Sequence, residues 1–115
     1  MSTQEVLDHH LQAFAAGDVD ELLKDYTDKS ILMEPNGTHR GPSELRAFFA
    51  PVFEGLFRPG SYDATVDRST VEGEVAYVVW HSKNQGAEVS LGTDTFLIQG
   101  GKIQVQTFAA KVDEQ

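Results

Sequence analysis

The spacing of apolar residues changes once along this chain, from helical spacing in the first half to strand alternation from about Tyr62 onward. Before Tyr62, apolar residues recur three and four positions apart, as they do on one face of an α-helix. After it, alternating runs are separated by turn residues at 72–73, 84–86 and 100–101, which indicates consecutive strands. This order predicts an α+β domain in which helices pack on one face of a curved sheet.

Three helices are predicted in the first half. Ser2 and Glu5 form a capping-box pattern at the start of the first helix, and Gly17 is a natural end for it. Asp18 and Glu21 repeat the pattern before a second, shorter helix. The apolar positions predicted to form the buried face of this second helix are Val19, Leu22, Leu23 and Tyr26.

A third helix is predicted to begin at Pro42, because proline is favoured at the first helical position. Pro51 lies inside its apolar pattern and is expected to end or kink the helix. A short strand, 30–34, is predicted between the second and third helices, and the Pro-Asn-Gly turn at 35–37 closes it. The His-Arg pair at 39–40 follows this loop and is expected on the surface.

Four later strands are predicted, at about 62–70, 74–83, 87–99 and 102–112. The length of 115 residues fits one domain, and a hydrophobic fraction of 40% is enough for one core. No linker or repeat divides the sequence, so residues 1–115 are predicted to form a single domain. A curved sheet covered by helices leaves an open end, which is a common position for a ligand pocket.

Charge and cysteine content exclude several classes of function. With 18 acidic side chains against 9 Lys and Arg, the formal net charge is -9, which repels nucleic-acid backbones and anionic membranes. Cysteine is absent, which excludes thiolate nucleophiles and sulfur-ligated metals. The first residues lack the basic and apolar segments of a signal peptide, so a cytoplasmic location is expected. No nucleic-acid or membrane partner, metal or cofactor is predicted.

Asp94 is the first candidate site residue. In an alternating strand it shares a face with Phe96 and Ile98, which is the more apolar of the two faces. A carboxylate on such a face either finds a hydrogen-bond donor or has its pKa raised by desolvation. A purely structural hydrogen bond to a neighbouring strand or loop is the alternative interpretation, because many perturbed acids are structural.

The order of these elements resembles the NTF2-like superfamily, whose members are small cone-shaped α+β domains. Within it, the pattern is most similar to the steroid delta-isomerases and the SnoaL-like polyketide cyclases. The resemblance extends from about Val6 to Val112 and is carried by the segments 14–26, 34–37 and 92–103. It implies a curved mixed or antiparallel sheet that forms a cone, with three N-terminal helices on its concave face. It also implies a homodimer that forms through the sheet.

The resemblance implies chemical roles for three residues. In steroid delta-isomerases, the Asp of an Asp-x-Phe strand motif stays protonated and donates a hydrogen bond to the developing enolate. The tripeptide at 94–96 matches this motif, with Asp94 as the acid. The general base of that family is an acid directly before proline, which Glu34 matches. The family's second donor is a Tyr on the first helix, and His10 occupies the corresponding position here.

Glu34 and His10 also have structural interpretations. Glu34 can be a solvated acid that opens the Pro-Asn-Gly turn. His10 lies in the apolar stripe of the first helix and can be a core or pocket-lining residue. The residues expected to contact a hydrophobic ligand are aromatic: Phe14, Tyr26, Phe53, Trp80, Phe96 and Phe108.

The leading functional hypothesis is a cofactor-free acid–base enzyme that acts on a hydrophobic ketone or a polyketide-like molecule. Glu34 would be the general base, Asp94 the neutral acid and His10 a second donor, for isomerisation or intramolecular aldol cyclisation through an enolate. One alternative is a non-catalytic domain that binds a small apolar ligand in the same cavity. The other is a protein-interaction domain that uses the outer face of the sheet.

Overall fold

A six-stranded mixed sheet and three helices form the fold in the computed structural model, which describes residues 1–114. The elements in chain order are α1 (Thr3–Ala16), α2 (Val19–Leu23), β1 (Tyr26–Glu34), β2 (Gly37–Arg40), α3 (Gly41–Glu54), β3 (Asp63–Glu72), β4 (Val75–Lys83), β5 (Ala87–Gln99) and β6 (Lys102–Glu114).

The strands lie in the order β2-β1-β6-β5-β4-β3. Neighbouring strands are antiparallel except for β1 and β6, which run parallel. The sheet is not closed, and the helices bury their apolar faces against it in one core cluster. The predicted α+β class, with a curved mixed sheet covered by three helices, is therefore confirmed. Within residues 1–114, no helix combines the length and apolar character needed to span a membrane.

The predicted ends of the first two helices are confirmed. Ser2 Oγ accepts a hydrogen bond from the Glu5 backbone N–H at 3.1 Å, and Glu5 Oε1 accepts one from the Ser2 N–H at 2.9 Å. Gly17 ends α1 in the left-handed conformation, with φ of 64°. Asp18 caps α2 by accepting from the Glu21 backbone N–H at 3.1 Å.

Tyr26 does not belong to α2, contrary to the prediction. The helix ends at Leu23, and Tyr26 is the first residue of β1, opposite Ile103 of β6. Because α2 has only five residues, an apolar residue three positions beyond its end continues the helical spacing by chance. The first strand consequently begins four residues before the predicted segment 30–34.

Close to α3, the structure contains a short strand that was not predicted, and the proline that was expected to end or kink the helix does not end it. The segment after the Pro-Asn-Gly turn is a strand, β2, in which His39 lies opposite Leu32 of β1. The helix α3 continues past Pro51 to Glu54, so the proline does not end it. Proline removes only one backbone donor, and the buried rings of Phe49 and Phe53 anchor the helix in the core on both sides of it.

Cross-strand register fixes which residues face the helices. Val78, Asp94 and Phe108 lie opposite one another on β4, β5 and β6. Two positions further along β5, Phe96 lies opposite Gln106. Because side chains alternate along a strand, all five project from the same, inner face of the sheet. The candidate acid Asp94 therefore lies in the centre of the sheet, beneath the helices.

His9 ties α1 to α2 and to the segment before β1. Its Nδ1 lies 2.7 Å from Asp25 Oδ1, and its Nε2 lies 2.8 Å from Glu21 Oε1. Hydrogen bonds to Glu21 and then to Asp25 raise the pKa of His9, which favours the charged imidazolium. His9 thus has a structural role at the junction of α1, α2 and the segment before β1.

Candidate active site

A largely apolar cavity of about 270 Å³ lies between the helices and the inner face of the sheet. Four of the six aromatic residues predicted to contact a ligand line it, namely Phe14, Trp80, Phe96 and Phe108. Its remaining walls include further aromatic residues that the sequence did not single out: Phe48, Phe49, Phe57 and Tyr62. A cavity with such walls favours a hydrophobic, ring-containing ligand.

Tyr26 and Phe53 do not line the cavity. The Phe53 ring packs behind Phe14, with 4.9 Å between the ring centroids. Tyr26 is buried, and its hydroxyl donates a hydrogen bond to Gln106 Oε1. Both residues therefore support the cavity wall from behind.

Asp94 lines the cavity and is held by two N–H donors. Trp80 Nε1 donates to Asp94 Oδ1 over 2.9 Å, and Gln106 Nε2 donates to Asp94 Oδ2 over 2.9 Å. Trp80 is itself fixed by its near-parallel packing on Phe108, with 8° between the ring planes. Each carboxylate oxygen thus has one partner in the wall, and its remaining lone pair is available to a ligand.

Burial raises the pKa of Asp94 to about 6. The hydrogen bonds from Trp80 and then Gln106 act in the opposite direction, because they stabilise the carboxylate, but the loss of water outweighs them. A group with this pKa is mostly ionised at neutral pH and is still easily protonated. It can accept a proton from a ligand and return it.

His10 contributes a neutral imidazole to the same cavity. Burial and, to a smaller extent, the charge on neighbouring His9 lower its pKa to about 3. Its Nδ1 has no hydrogen-bond partner within the described chain, and its ring meets Phe96 edge-on at 5.0 Å between centroids. A neutral imidazole has one N–H donor and one acceptor nitrogen, so His10 can offer a ligand a hydrogen bond but no charge.

Glu34 does not line the cavity. Its carboxylate accepts a hydrogen bond from the Asn36 backbone N–H in the β1–β2 turn and lies 3.4 Å from His39 Nε2. The His39 ring packs on Phe48, with 4.7 Å between centroids, and Phe48 does line the cavity. Asp94 and His10 therefore both line the cavity. Glu34 lies outside it, on the far side of His39 and Phe48.

Gln106 is a site residue that the sequence interpretation missed. It is 2% exposed and connects the Tyr26 hydroxyl to the Asp94 carboxylate through its two amide atoms. Its alternation with Phe108 on the last strand was a usable signal, because both had to lie on one face. The partner of its amide could not be read from the sequence, since it depends on the pairing of β5 with β6.

Comparison with known families assigns most of this chain to one group. Residues 7–106 match the family model of the SnoaL-like domain. This range contains Asp94, its two hydrogen-bond donors Trp80 and Gln106, and His10. A comparison with curated proteins finds no match.

Solved structures share the fold over nearly the whole chain. A candidate ketosteroid isomerase from Kribbella flavida DSM 17836 has a TM-score of 0.77 and 14% identity, over 95% of this chain and 77% of that chain. A candidate polyketide cyclase from Sinorhizobium meliloti has a TM-score of 0.75 and 18% identity, over 94% of this chain and 99% of that chain. An uncharacterised cystatin-fold protein from Novosphingobium aromaticivorans has a TM-score of 0.76 and 18% identity, over 94% and 97%. At these identities the similarity establishes the fold alone.

Proposed function

Because the chain belongs to the SnoaL-like domain family, we propose that it is a cofactor-free acid–base enzyme acting on a small hydrophobic ketone or polyketide-like molecule. One observation carries this proposal. Among the described residues that line the cavity, Asp94 is the sole carboxylate, and burial raises its pKa to about 6. A base whose pKa lies close to the working pH is well suited to proton transfer from carbon.

In the proposed reaction, ionised Asp94 removes a proton from the carbon beside the ketone. The electron pair of the broken C–H bond moves onto the carbonyl oxygen and forms an enolate, which the neutral imidazole of His10 stabilises through its N–H. In an isomerisation, protonated Asp94 then returns the proton to a different carbon. In an aldol cyclisation, the enolate carbon first attacks a second carbonyl of the same molecule, the π electrons of that carbonyl move to its oxygen, and Asp94 returns the proton to the resulting alkoxide. This scheme uses a single carboxylate for both steps. It differs from the sequence hypothesis, in which Glu34 is the base, because Glu34 does not border the cavity.

The test of this function is turnover of a series of β,γ-unsaturated ketones with increasing numbers of rings, followed by the absorbance of the conjugated product. We expect kcat/KM to rise with pH and to level off above an inflection near 6, since Asp94 must be ionised to act as a base. The rate of product formation in buffer without protein gives the uncatalysed background rate. Rates equal to this background across the series and the pH range would refute the isomerase form of the proposal.

A ligand carrier is the second candidate, and the position of Glu34 favours it. A two-carboxylate mechanism needs both acids at one void, and only Asp94 is there. A carrier would bind the same ketones without turning them over, and binding would survive Asp94→Asn. Measured affinity for the ketones together with background rates would therefore identify a carrier.

We also propose that the protein forms a homodimer through the outer face of the sheet. Val75 and Tyr77 are exposed on this face, where they lie opposite Leu97 and Thr95 of β5. A two-fold axis would place this apolar surface against its own copy. Light scattering is expected to give twice the chain mass, and Tyr77→Asp, which introduces a charge in each copy, to give a monomer. A monomeric parent protein at all concentrations would contradict this.

A further inference from the structure

Gly92 lies directly against the indole ring of Trp80. The two residues are cross-strand partners on β5 and β4, and the indole lies over the β5 backbone at this position. A Cβ atom placed on Gly92 would be 2.2 Å from Trp80 Cε2 and 2.4 Å from Cζ2. Carbon atoms in proteins do not approach this closely, so any other residue here would displace the indole.

The backbone itself does not require glycine at this position. Gly92 is absent from the glycines of the described chain that have positive φ, so an L-residue could adopt its conformation. The clash is with a rigid ring and not with a flexible chain end, and two other aromatic rings pack on that ring. Phe108 packs in parallel on Trp80 at 6.3 Å, and Phe57 meets it edge-on at 5.6 Å. An indole that is displaced from Gly92 therefore has to change its packing against these two rings.

The position of the indole determines a contact of the reactive acid. Its Nε1 reaches Asp94, two residues beyond Gly92 on the same strand face, over 2.9 Å. An indole N–H can only donate, so it always stabilises the ionised form of the carboxylate. The absence of a side chain at position 92 is therefore what allows this donor to lie flat on the sheet and reach Asp94.

We propose that Gly92 is a positioning residue, which acts through Trp80 to hold the Asp94 carboxylate in its reactive orientation and state of ionisation. The importance of this role for turnover rests on the proposed function. The positioning of Asp94 by Gly92 through Trp80 does not depend on that function. A side chain at position 92 breaks the bond between Trp80 and Asp94 and leaves Gln106 as the single donor to the acid.

The experiment uses the fact that Trp80 is the only tryptophan of the chain. In a ¹⁵N-correlated NMR spectrum its indole N–H gives one resonance, so its hydrogen bond and its response to Asp94 can be followed without substrate. In the parent protein we expect this resonance to titrate with the ionisation of Asp94, near pH 6. In Gly92→Ala we expect the resonance to move and its titration to disappear. The pKa of Asp94, followed by its ¹³C carboxyl signal, should rise by about one unit, as expected when a carboxylate loses one donor.

The matched control is Gly86→Ala. Gly86 also lacks a positive φ, and the nearest atom to a Cβ there is Asn84 Oδ1 at 3.9 Å. This variant should leave the indole resonance and the Asp94 titration unchanged. If Gly92→Ala keeps both signals as in the parent, the proposal is wrong.

A second pair of variants covers the case in which Gly92→Ala does not fold. Trp80→Ala removes the donor and the three indole ring atoms that a Cβ at position 92 would meet most closely. Adding Gly92→Ala to Trp80→Ala should then leave both the folding and the pKa of Asp94 as they are in Trp80→Ala alone, because the glycine acts only through the indole. A double variant that fails to fold, or that shifts the Asp94 titration further, would show a direct backbone role and overturn the proposal. None of these signals depends on turnover, so an inactive parent protein would refute the proposed function and leave this inference intact.

Discussion

Replacing Asp94 by Asn is expected to lower the kcat for an enolisable ketone by about 10²–10⁴-fold, the usual contribution of a positioned general base. The substitution keeps the shape of the side chain and the oxygen that accepts from Trp80 Nε1. It removes the ability to take up and return a proton, and it also places an amide NH2 opposite Gln106 Nε2, which donates to Asp94 Oδ2 in the parent. Initial rates with saturating ketone, measured from the absorbance of the conjugated product, give the comparison directly.

Glu34→Gln is the matched control, since it makes the same chemical change in the other acid that the sequence pointed to. Glu34 does not line the cavity, so we expect this variant to keep a kcat within about threefold of the parent, well short of the loss of a general base. Unfolding midpoints in urea would verify that both variants are folded. Equal and large losses in the two variants would contradict a single acid–base residue and would restore the two-carboxylate mechanism.

The sequence was sufficient for the fold because its long elements carry strong periodic signals. The helix caps at Ser2 and Gly17 and the late strands were predicted close to their observed positions. The four-residue strand β2 was missed, since so short a segment has no measurable periodicity and forms only by pairing with β1. Tyr26 was assigned to the wrong element for a related reason, because one apolar residue fits both a helical and an extended pattern.

Only the part of the candidate site that follows from the alternation of side chains along a single strand could be predicted. Alternation placed Asp94 on the inner face of its strand, and the structure places it there. The reach of Trp80 to Asp94 depends on a cross-strand contact at Gly92, which no local pattern encodes. Glu34 shows that a matching local motif can still mislead about the site. The acid-proline motif identifies a residue type at a strand end, but the β1–β2 turn decides that its carboxylate binds the Asn36 N–H.

The two ionisable groups of the cavity have opposite effects on stability as the pH falls. The pKa of His10 is lowered by burial to about 3 in the folded state, against 6.5 in an open chain. Between these values the unfolded chain binds a proton that the folded protein excludes, so acid destabilises the fold. The pKa of Asp94 is raised from 3.8 to about 6, so the folded protein binds the extra proton between these values. Through Asp94, lowering the pH therefore stabilises the folded protein, because protonation removes a buried charge.

Replacing His10 by Leu isolates the first effect and is expected to produce the largest change in stability. From pH 7.5 to about 4.5, the parent should lose about 2–3 kcal/mol of unfolding free energy relative to His10→Leu, and toward pH 3 the difference should reach about 4–5 kcal/mol. The contribution of Asp94 is common to both proteins and cancels. Urea unfolding at a series of pH values, followed by the fluorescence of Trp80, measures the difference.

His9→Gln provides a control of opposite sign on the adjacent residue. Its hydrogen bonds to Glu21 and Asp25 raise the pKa of His9, so its contribution to stability is present at low pH and is lost as the pH rises through the folded value. Removing His9 should therefore lower the free energy of unfolding most at low pH, whereas removing His10 should raise it most there. If His10→Leu and the parent differ by the same amount at every pH, His10 must gain its proton as easily in the fold as in the open chain. The cavity would then be wet and polar at α1, and His10 would become charged as the pH falls through about 6.5 instead of staying a neutral donor.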